Sequence, residues 1–142
     1  MIRWAGRLMV LYGAAHTLGA LTVEGAARHA GAWFGGELWG DDLADMSPAN
    51  SALWLSVDSF GVPLVVVGLM VLWLDRRGIT PPPFVAWTLG IWTVLDAVIL
   101  LLTPWPILLL TPWPILLLAN ILLLVGTRRA RHRDNPTPGS AA

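Results

Sequence analysis

The sequence contains no cysteine and no lysine, and it carries little charge of either sign. Without cysteine the chain can form no disulfide, no iron–sulfur cluster and no thiol nucleophile. Only 13% of its 142 residues are charged, compared with about 25% in an ordinary soluble domain. The chain also lacks an HExxH motif, a phosphate-cradling glycine loop and a nucleophile–base pattern. We therefore predict that it is not an enzyme and that it uses no cofactor and binds no nucleic acid.

In place of charge, the chain has long apolar segments separated by short polar ones. A helix needs about 20 residues, at about 1.5 Å each, to cross a hydrocarbon core about 30 Å thick. We predict an all-α protein, a four-transmembrane-helix bundle over 1–127. Its helices cover about 4–23, 52–74, 83–102 and 107–127, with an outer loop over 24–51 and a disordered basic cytoplasmic tail over 128–142.

The first apolar segment has an alternative interpretation as a cleaved signal peptide, because positive charge precedes it and small residues follow it. Tyr12, His16 and Thr17 are poor residues for the apolar core of a signal peptide, and the glycines suit a packed helix better. We therefore favour a retained first helix.

Arginine orients the predicted bundle. Eight of the nine basic residues fall on one side of it: Arg3, Arg7, Arg76, Arg77, Arg128, Arg129, Arg131 and Arg133. The loop over 24–51 holds five acidic residues against the single Arg28. The positive-inside rule therefore predicts a multi-pass protein of the bacterial plasma membrane with both termini in the cytoplasm (N-in, C-in). We expect the last four arginines to contact anionic lipid, each contributing about 1 kcal/mol to the interaction: Arg128, Arg129, Arg131 and Arg133.

The unit ILLLTPWP occurs twice over 99–114 and begins a third time. Eight residues rotate a helix by about 80° beyond two full turns, so the copies would not share a face. We interpret the repeat as an in-frame duplication and expect deletion of 103–110 to be tolerated. A fourth helix starting at Pro112 would be only about 24 Å long before Arg128, so we place the turn at 103–106. Proline then predicts kinks within helices at Pro63, Pro112 and Pro114.

Ionisable and amide side chains within apolar helices are the candidate functional residues, because burying them in lipid costs a few kcal/mol each. Small residues beside them indicate helix faces that approach closely. The predicted polar cluster comprises Tyr12, His16, Asp58, Asp96 and Asn120, with Gly13, Gly19, Gly61 and Gly68 as packing positions.

Three functions for this cluster stay open. The side chains can fix helix packing through hydrogen bonds, they can bind or relay protons, or they can hold a divalent cation. The third is the weakest, because one His and two Asp on three helices form no local metal motif, and we predict no metal. We expect a non-enzymatic membrane subunit or scaffold. The alternative is a small proton- or ion-coupled transporter that acts as a homo-oligomer.

Two stretches, RWAGRLMVLYGAAHTLGAL and SFGVPLVVVGLMV, carry a family resemblance. They resemble the small four-span bacterial membrane proteins grouped as domain-of-unknown-function family 6463, and the resemblance extends to about residue 127. It implies a four-helix integral membrane protein and gives weight to His16 in the pattern Gly13-x-x-His16-x-x-Gly19. It implies no substrate. The doubled TPWP departs from the family pattern at the boundary between the third and fourth spans.

Overall fold

The structure, a computed structural model, describes residues 1–42, 44–102 and 113–134. These residues form α-helices and one short 3-10 helix over Ala26–His29, and they include no strand. The α-helices are α1 (Ile2–Thr22), α2 (Ala30–Gly35), α3 (Pro48–Ser56), α4 (Gly61–Arg76), α5 (Pro83–Leu102) and α6 (Trp113–Asp134). The predicted all-α class is confirmed for this part of the chain.

The chain divides into two compact units, to both of which α1 and α4 contribute. The terminal unit consists of Met1–Met9 and Val67–Ala142, and the middle unit consists of Val10–Val66. Each unit is described by itself below.

In the terminal unit, α5 packs along α6, and the first turns of α1 pack against the end of α4 and against α6. Glycine permits these approaches. A Cβ on Gly6 would lie 2.8 Å from Leu72 Cγ, and a Cβ on Gly126 would lie 2.8 Å from Ile2 Cγ1. The buried apolar side chains range from alanine to leucine and methionine: Ala5, Met9, Val71, Ala86, Leu116, Ala119 and Leu123.

In the middle unit, the segment that we predicted as a loop over 24–51 contains the 3-10 helix, α2 and the start of α3, which pack on one another. The indole Nε1–H of Trp33 donates a hydrogen bond to the carbonyl of Ala49 at 2.8 Å and ties α2 to α3. Short helices of this kind depend on tertiary contacts, which hydropathy does not report.

The second predicted helix starts earlier than 52 and is interrupted. The Ser47 side chain caps α3 by accepting a hydrogen bond from the Asn50 amide, and Pro48 occupies the first helical position. After Ser56 the helix breaks over 57–60 and resumes as α4. Pro63 therefore lies in the first turn of α4, where its missing N–H is harmless, instead of kinking a continuous helix.

The last helix differs from its prediction at its C-terminal end. We expected disorder from residue 128, but α6 continues to Asp134. Arginine is a good helix former, and the basic side chains of the last turn, Arg131, His132 and Arg133, interact favourably with the helix dipole. Pro114 lies in the first turn of the described helix. The predicted turn at 103–106, Pro112 and the residues after 134 lie outside the described residues.

Within the described part of the chain, one helical stretch is long and apolar enough to cross a membrane. It is Pro48–Arg76, which has 29 residues counted across the interruption and a mean hydropathy of 2.1. Pro83–Ile99 is a shorter apolar helical stretch. The other three spans of the predicted bundle stay a prediction.

Candidate functional site

In the middle unit, α1 meets the interruption between α3 and α4 through a group of polar and aromatic side chains. His16 Nε2 lies 3.0 Å from Ser59 Oγ, and the Ser59 hydroxyl donates to the Ser56 carbonyl at 3.0 Å. The contact of His16 with Ser59 and the bond of Ser59 to the Ser56 carbonyl link α1 to the interruption after Ser56.

Aromatic contacts hold the same group. The rings of His16 and Phe60 have centroids 4.3 Å apart, and those of Tyr12 and Phe60 are 5.6 Å apart and stacked. Tyr12 and His16, which we predicted on one face of the first helix, therefore lie together on Phe60. All three side chains are half-buried.

A close helix approach adjoins this group. A Cβ on Gly13 would lie 2.5 Å from the Gly61 carbonyl oxygen, and a Cβ on Gly61 would collide with Thr17 Oγ1. The close approach of the two helices therefore requires glycine at both positions. Gly13 and Gly61 are two of the four packing positions that we predicted. Thr17 Oγ1 is buried and has no hydrogen-bond partner among the described residues.

Asp58 does not join His16. It is exposed in the turn between α3 and α4, where its backbone amide donates to the Leu53 carbonyl at 3.1 Å. No described residue donates a hydrogen bond to its carboxylate or forms an ion pair with it. The hydrogen bonds that organise the turn come from the two serines. Ser56 Oγ donates to the Ala52 carbonyl at 2.5 Å.

In the terminal unit, Asn120 makes a buried hydrogen bond between α5 and α6. Its Nδ2 donates to Thr93 Oγ1 at 3.1 Å, and the Thr93 hydroxyl in turn donates to the Leu89 carbonyl at 2.7 Å. Asn120 is 5% exposed and Thr93 is 2% exposed. The Asn120 Oδ1 is also buried and lacks a partner within the described part of the chain. Asp96, one turn beyond Thr93 on α5, is half-buried.

The other two predicted packing glycines behave differently from each other. Gly68 is buried in the terminal unit, and its carbonyl oxygen lies 3.1 Å from the position of a Cβ on Gly6. Gly19 makes no close helix contact: among the described residues, no atom outside its own stretch of helix backbone lies within 4 Å of a Cβ built there. The packing that we predicted at Gly19 is not formed by this part of the chain, and its carbonyl instead accepts bonds from Val23 and Glu24 at the end of α1.

The predicted polar residues thus divide between the units. Tyr12, His16 and Asp58 belong to the middle unit, and Asp96 and Asn120 belong to the terminal unit. In the described part of the chain, no group of three or more His, Asp or Glu side chains could hold a metal ion. The arrangement can fix helices against each other through single hydrogen bonds, and it places one hydroxyl, that of Ser59, next to one imidazole, that of His16.

Sequence reasoning missed the partners of the predicted residues, which are Ser59 and Phe60 for His16 and Thr93 for Asn120. Ser and Thr within apolar helices are a usable signal, because such hydroxyls bond across helices or back to their own backbone. The pattern S-V-D-S-F over 56–60 and Thr93 within α5 fit that signal.

No protein-family model, no curated protein and no solved structure matches this chain. The resemblance to family 6463 therefore stays a prediction, based only on the residues quoted for it above.

Proposed function

We propose that the chain is an integral membrane protein with four spans and both termini in the cytoplasm. We propose further that it acts as a non-catalytic membrane subunit or scaffold whose intramembrane polar residues hold its helices together. The observation that carries the proposal is the distribution of side chains, with many large apolar groups on the exposed faces and many small or polar groups at the buried helix contacts.

The exposed surfaces of α4, α5 and α6 include many large aliphatic side chains. Exposed fractions lie between 50% and 61% for Leu69, Met70, Ile91, Leu95, Ile99 and Ile121. Many buried positions are taken by glycine, alanine and polar residues, among them Gly6, Gly13, Gly61, Ala119, Thr93 and Asn120, beside a few larger apolar ones such as Met9 and Leu123. Soluble proteins bury large aliphatic residues and rarely expose wide apolar patches. Helices in lipid instead use small residues at their contacts and polar ones as interhelical bonds.

The lengths of α1 and α5 agree with the proposed spans. At about 1.5 Å per residue, the 21 residues of α1 and the 20 of α5 extend for about 31 and 30 Å, and a hydrocarbon core is about 30 Å thick. The described residues of α6 before Arg128, 113–127, extend for about 22 Å. The fourth proposed span therefore also needs residues that precede 113.

The first test is extraction of isolated membranes with alkaline carbonate, combined with reporter fusions. We expect the protein to stay in the membrane pellet, with reporters at both termini and after Gly78 inside the cell and a reporter at Gly40 outside. Release by carbonate would contradict membrane insertion. A C-terminal reporter outside the cell would contradict an even number of spans.

The scaffold role is supported by what the polar side chains contact. His16 and Asn120 are each engaged by a hydroxyl of the same unit, Ser59 and Thr93. Bonds of this kind between membrane helices average about 0.6 kcal/mol. They suit packing, and no described carboxylate forms a hydrogen bond with His16 or Asn120.

One observation favours the alternative, a small ion-coupled transporter. The interruption between α3 and α4 carries an exposed carboxylate, Asp58, and transporters build ion sites at broken helices. Purified Asp58→Asn protein in vesicles tests it, because Asn keeps the shape but cannot ionise. Proton or cation flux in wild type that is lost in this variant would establish the transporter. Equal flux in wild type, variant and empty vesicles would exclude it and leave the scaffold.

A further inference from the structure

We propose that the terminal unit binds the headgroup of an anionic phospholipid in two adjoining basic cavities, and that it prefers a lipid with two phosphates. The cavities lie where α1 begins and where α4 and α6 end. This inference rests on the proposed membrane function and adds a ligand class and a site to it.

The two cavities share a wall. One, of about 260 Å³, is lined by Arg3, Arg7, Leu72, Asp75 and Arg76. The other, of about 320 Å³, is lined by Arg129 and Arg133 together with Asp75 and the first residues of α1. Because Asp75 lines both, the cavities are neighbours on the two sides of one side chain.

Their charge is strongly positive. Five arginines line them, against the single carboxylate of Asp75. That carboxylate is already paired, since Arg3 Nε lies 2.5 Å from Asp75 Oδ2. Among the described side chains, no other ion pair occurs, so Arg7, Arg76, Arg129 and Arg133 have no carboxylate partner there. Guanidinium groups bind phosphate oxygens in a two-pronged geometry, which makes phosphate the matching ligand chemistry.

The surroundings indicate phosphate of a lipid. Trp4 and Trp73 are 59% and 55% exposed beside this end of the unit. The guanidinium carbon of Arg7 lies 5.1 Å from the Trp4 ring, and that of Arg77 lies 5.4 Å from the Trp73 ring. Exposed tryptophan next to arginine is the pattern of a membrane interface, where indoles lie at the level of the headgroups. Basic pockets between membrane helices on the cytoplasmic side bind anionic headgroups of this kind.

Two neighbouring basic cavities match a headgroup with two phosphates better than one with a single phosphate. One phosphate would contact Arg7 and Arg76, and the second would contact Arg129 and Arg133. Asp75 with its bound Arg3 would lie between the phosphates and keep the two sites apart. We therefore expect tighter binding of cardiolipin than of phosphatidylglycerol, and little binding of the zwitterionic phosphatidylcholine.

The experiment is lipid binding by the full chain in a neutral detergent, followed by native mass spectrometry for each of the three lipids. We expect Arg7→Gln, Arg76→Gln and Arg129→Gln each to weaken cardiolipin binding about fivefold, the factor that corresponds to about 1 kcal/mol per arginine. The matched control is Arg77→Gln, which removes the same charge next to Arg76 but lines neither cavity. It should weaken binding less than about twofold.

Three outcomes would overturn the inference. Equal weakening by Arg76→Gln and Arg77→Gln would mean that surface charge alone attracts the lipid. Equal binding of phosphatidylcholine would mean that the phosphates are not recognised. Displacement of cardiolipin by millimolar inorganic phosphate or by a polyglutamate peptide would mean that the cavities serve a soluble anion.

Carbonate extraction of the same variants separates this inference from the proposed function. Arg7 and Arg76 are exposed, so both variants should fold and stay in the membrane. Protein that resists carbonate extraction but shows no preference for anionic lipid would contradict the inferred lipid site and leave the proposed membrane insertion standing. Protein released by carbonate would contradict membrane insertion itself.

Discussion

At the scale of single residues, the bond between Asn120 and Thr93 is the clearest case of a polar group used for packing. Thr93→Val keeps the shape of the side chain but leaves the Asn120 amide without its acceptor. We expect a loss of about 0.6 kcal/mol in the free energy of unfolding, and at most about 1.7 kcal/mol, the range measured for bonds between membrane helices. Denaturant titration in micelles measures this loss.

The control for that prediction is Thr88→Val, the same substitution on the same helix at an exposed position. Its effect should stay within about 0.5 kcal/mol of wild type. Equal stability of the Thr93 and Thr88 variants would show that the buried hydroxyl contributes nothing to packing.

Two glycines of α1 form a second matched pair. Gly13→Ala would place a Cβ 2.5 Å from the Gly61 carbonyl oxygen, so the helices would have to separate, at a cost of about 1–3 kcal/mol. Gly19→Ala meets open space and gains helix propensity, by up to about 1 kcal/mol. The melting temperature should therefore fall for Gly13→Ala and stay level or rise for Gly19→Ala. Similar melting temperatures of the two variants would contradict close packing at Gly13.

The candidate residues could be predicted from the sequence, but their partners could not. His16 and Asn120 stand out because a polar side chain in an apolar helix is costly unless it is bonded. Which hydroxyl bonds each of them depends on the rotation and depth of two helices, and a single sequence does not encode these separately from the fold. The grouping of all five residues into one cluster assumed such a rotation and stays a prediction; Tyr12, His16 and Asp58 belong to the middle unit, and Asp96 and Asn120 belong to the terminal unit.

At the scale of elements, the interruption at 57–60 changes the expected position of Asp58. The stretch Pro48–Arg76 has 29 residues, or about 43 Å of helix, which exceeds a hydrocarbon core of about 30 Å. In the proposed topology, with Arg76 at the cytoplasmic surface, α3 would extend beyond the opposite boundary and Asp58 would lie close to that boundary. An exposed carboxylate at that level would face water and not lipid.

Cysteine labelling tests this position, and the chain offers a background without cysteine. We expect Asp58→Cys to react with a membrane-impermeant maleimide in intact cells, because the turn is exposed at the outer boundary. Leu69→Cys, on an exposed apolar face of α4, should be protected by lipid until detergent is added. If Asp58→Cys were protected as fully as Leu69→Cys, the interruption would lie inside the membrane.

Helix boundaries were predictable to different degrees, for physical reasons. α5 runs over Pro83–Leu102, the range that hydropathy predicts, because Pro83 starts it and its apolar run is unbroken. The start of α3 was also readable, since Ser47 followed by Pro48 is a helix-start signal. The break after Ser56 could not be predicted from the sequence, because it depends on hydrogen bonds from serine hydroxyls to the backbone. The extension of α6 to Asp134 shows that a charged segment without apolar periodicity can still continue a helix.

At the scale of the whole molecule, the repeat offers a test that leaves every described residue of α6 in place. Because the unit is duplicated, deletion of 103–110 gives the same product as deletion of 111–118, and one copy of Thr-Pro-Trp-Pro remains. In the proposed topology the deletion leaves the number of spans unchanged, so the arginines would stay on one side. We expect a C-terminal reporter to stay cytoplasmic and the melting temperature to change by only a few degrees, since leucine and isoleucine suit lipid at any rotation.

The control deletion, of 119–126, has the same length but removes Asn120, Leu123 and Gly126, all of them buried. It takes away the bond to Thr93 and the glycine on which Ile2 packs, so the protein should be lost from the membrane fraction. Loss of the protein after deletion of 103–110 as well would mean that the second copy is required for folding. The duplication would then be a structural element of the chain, and the interpretation of a tolerated insertion would be wrong.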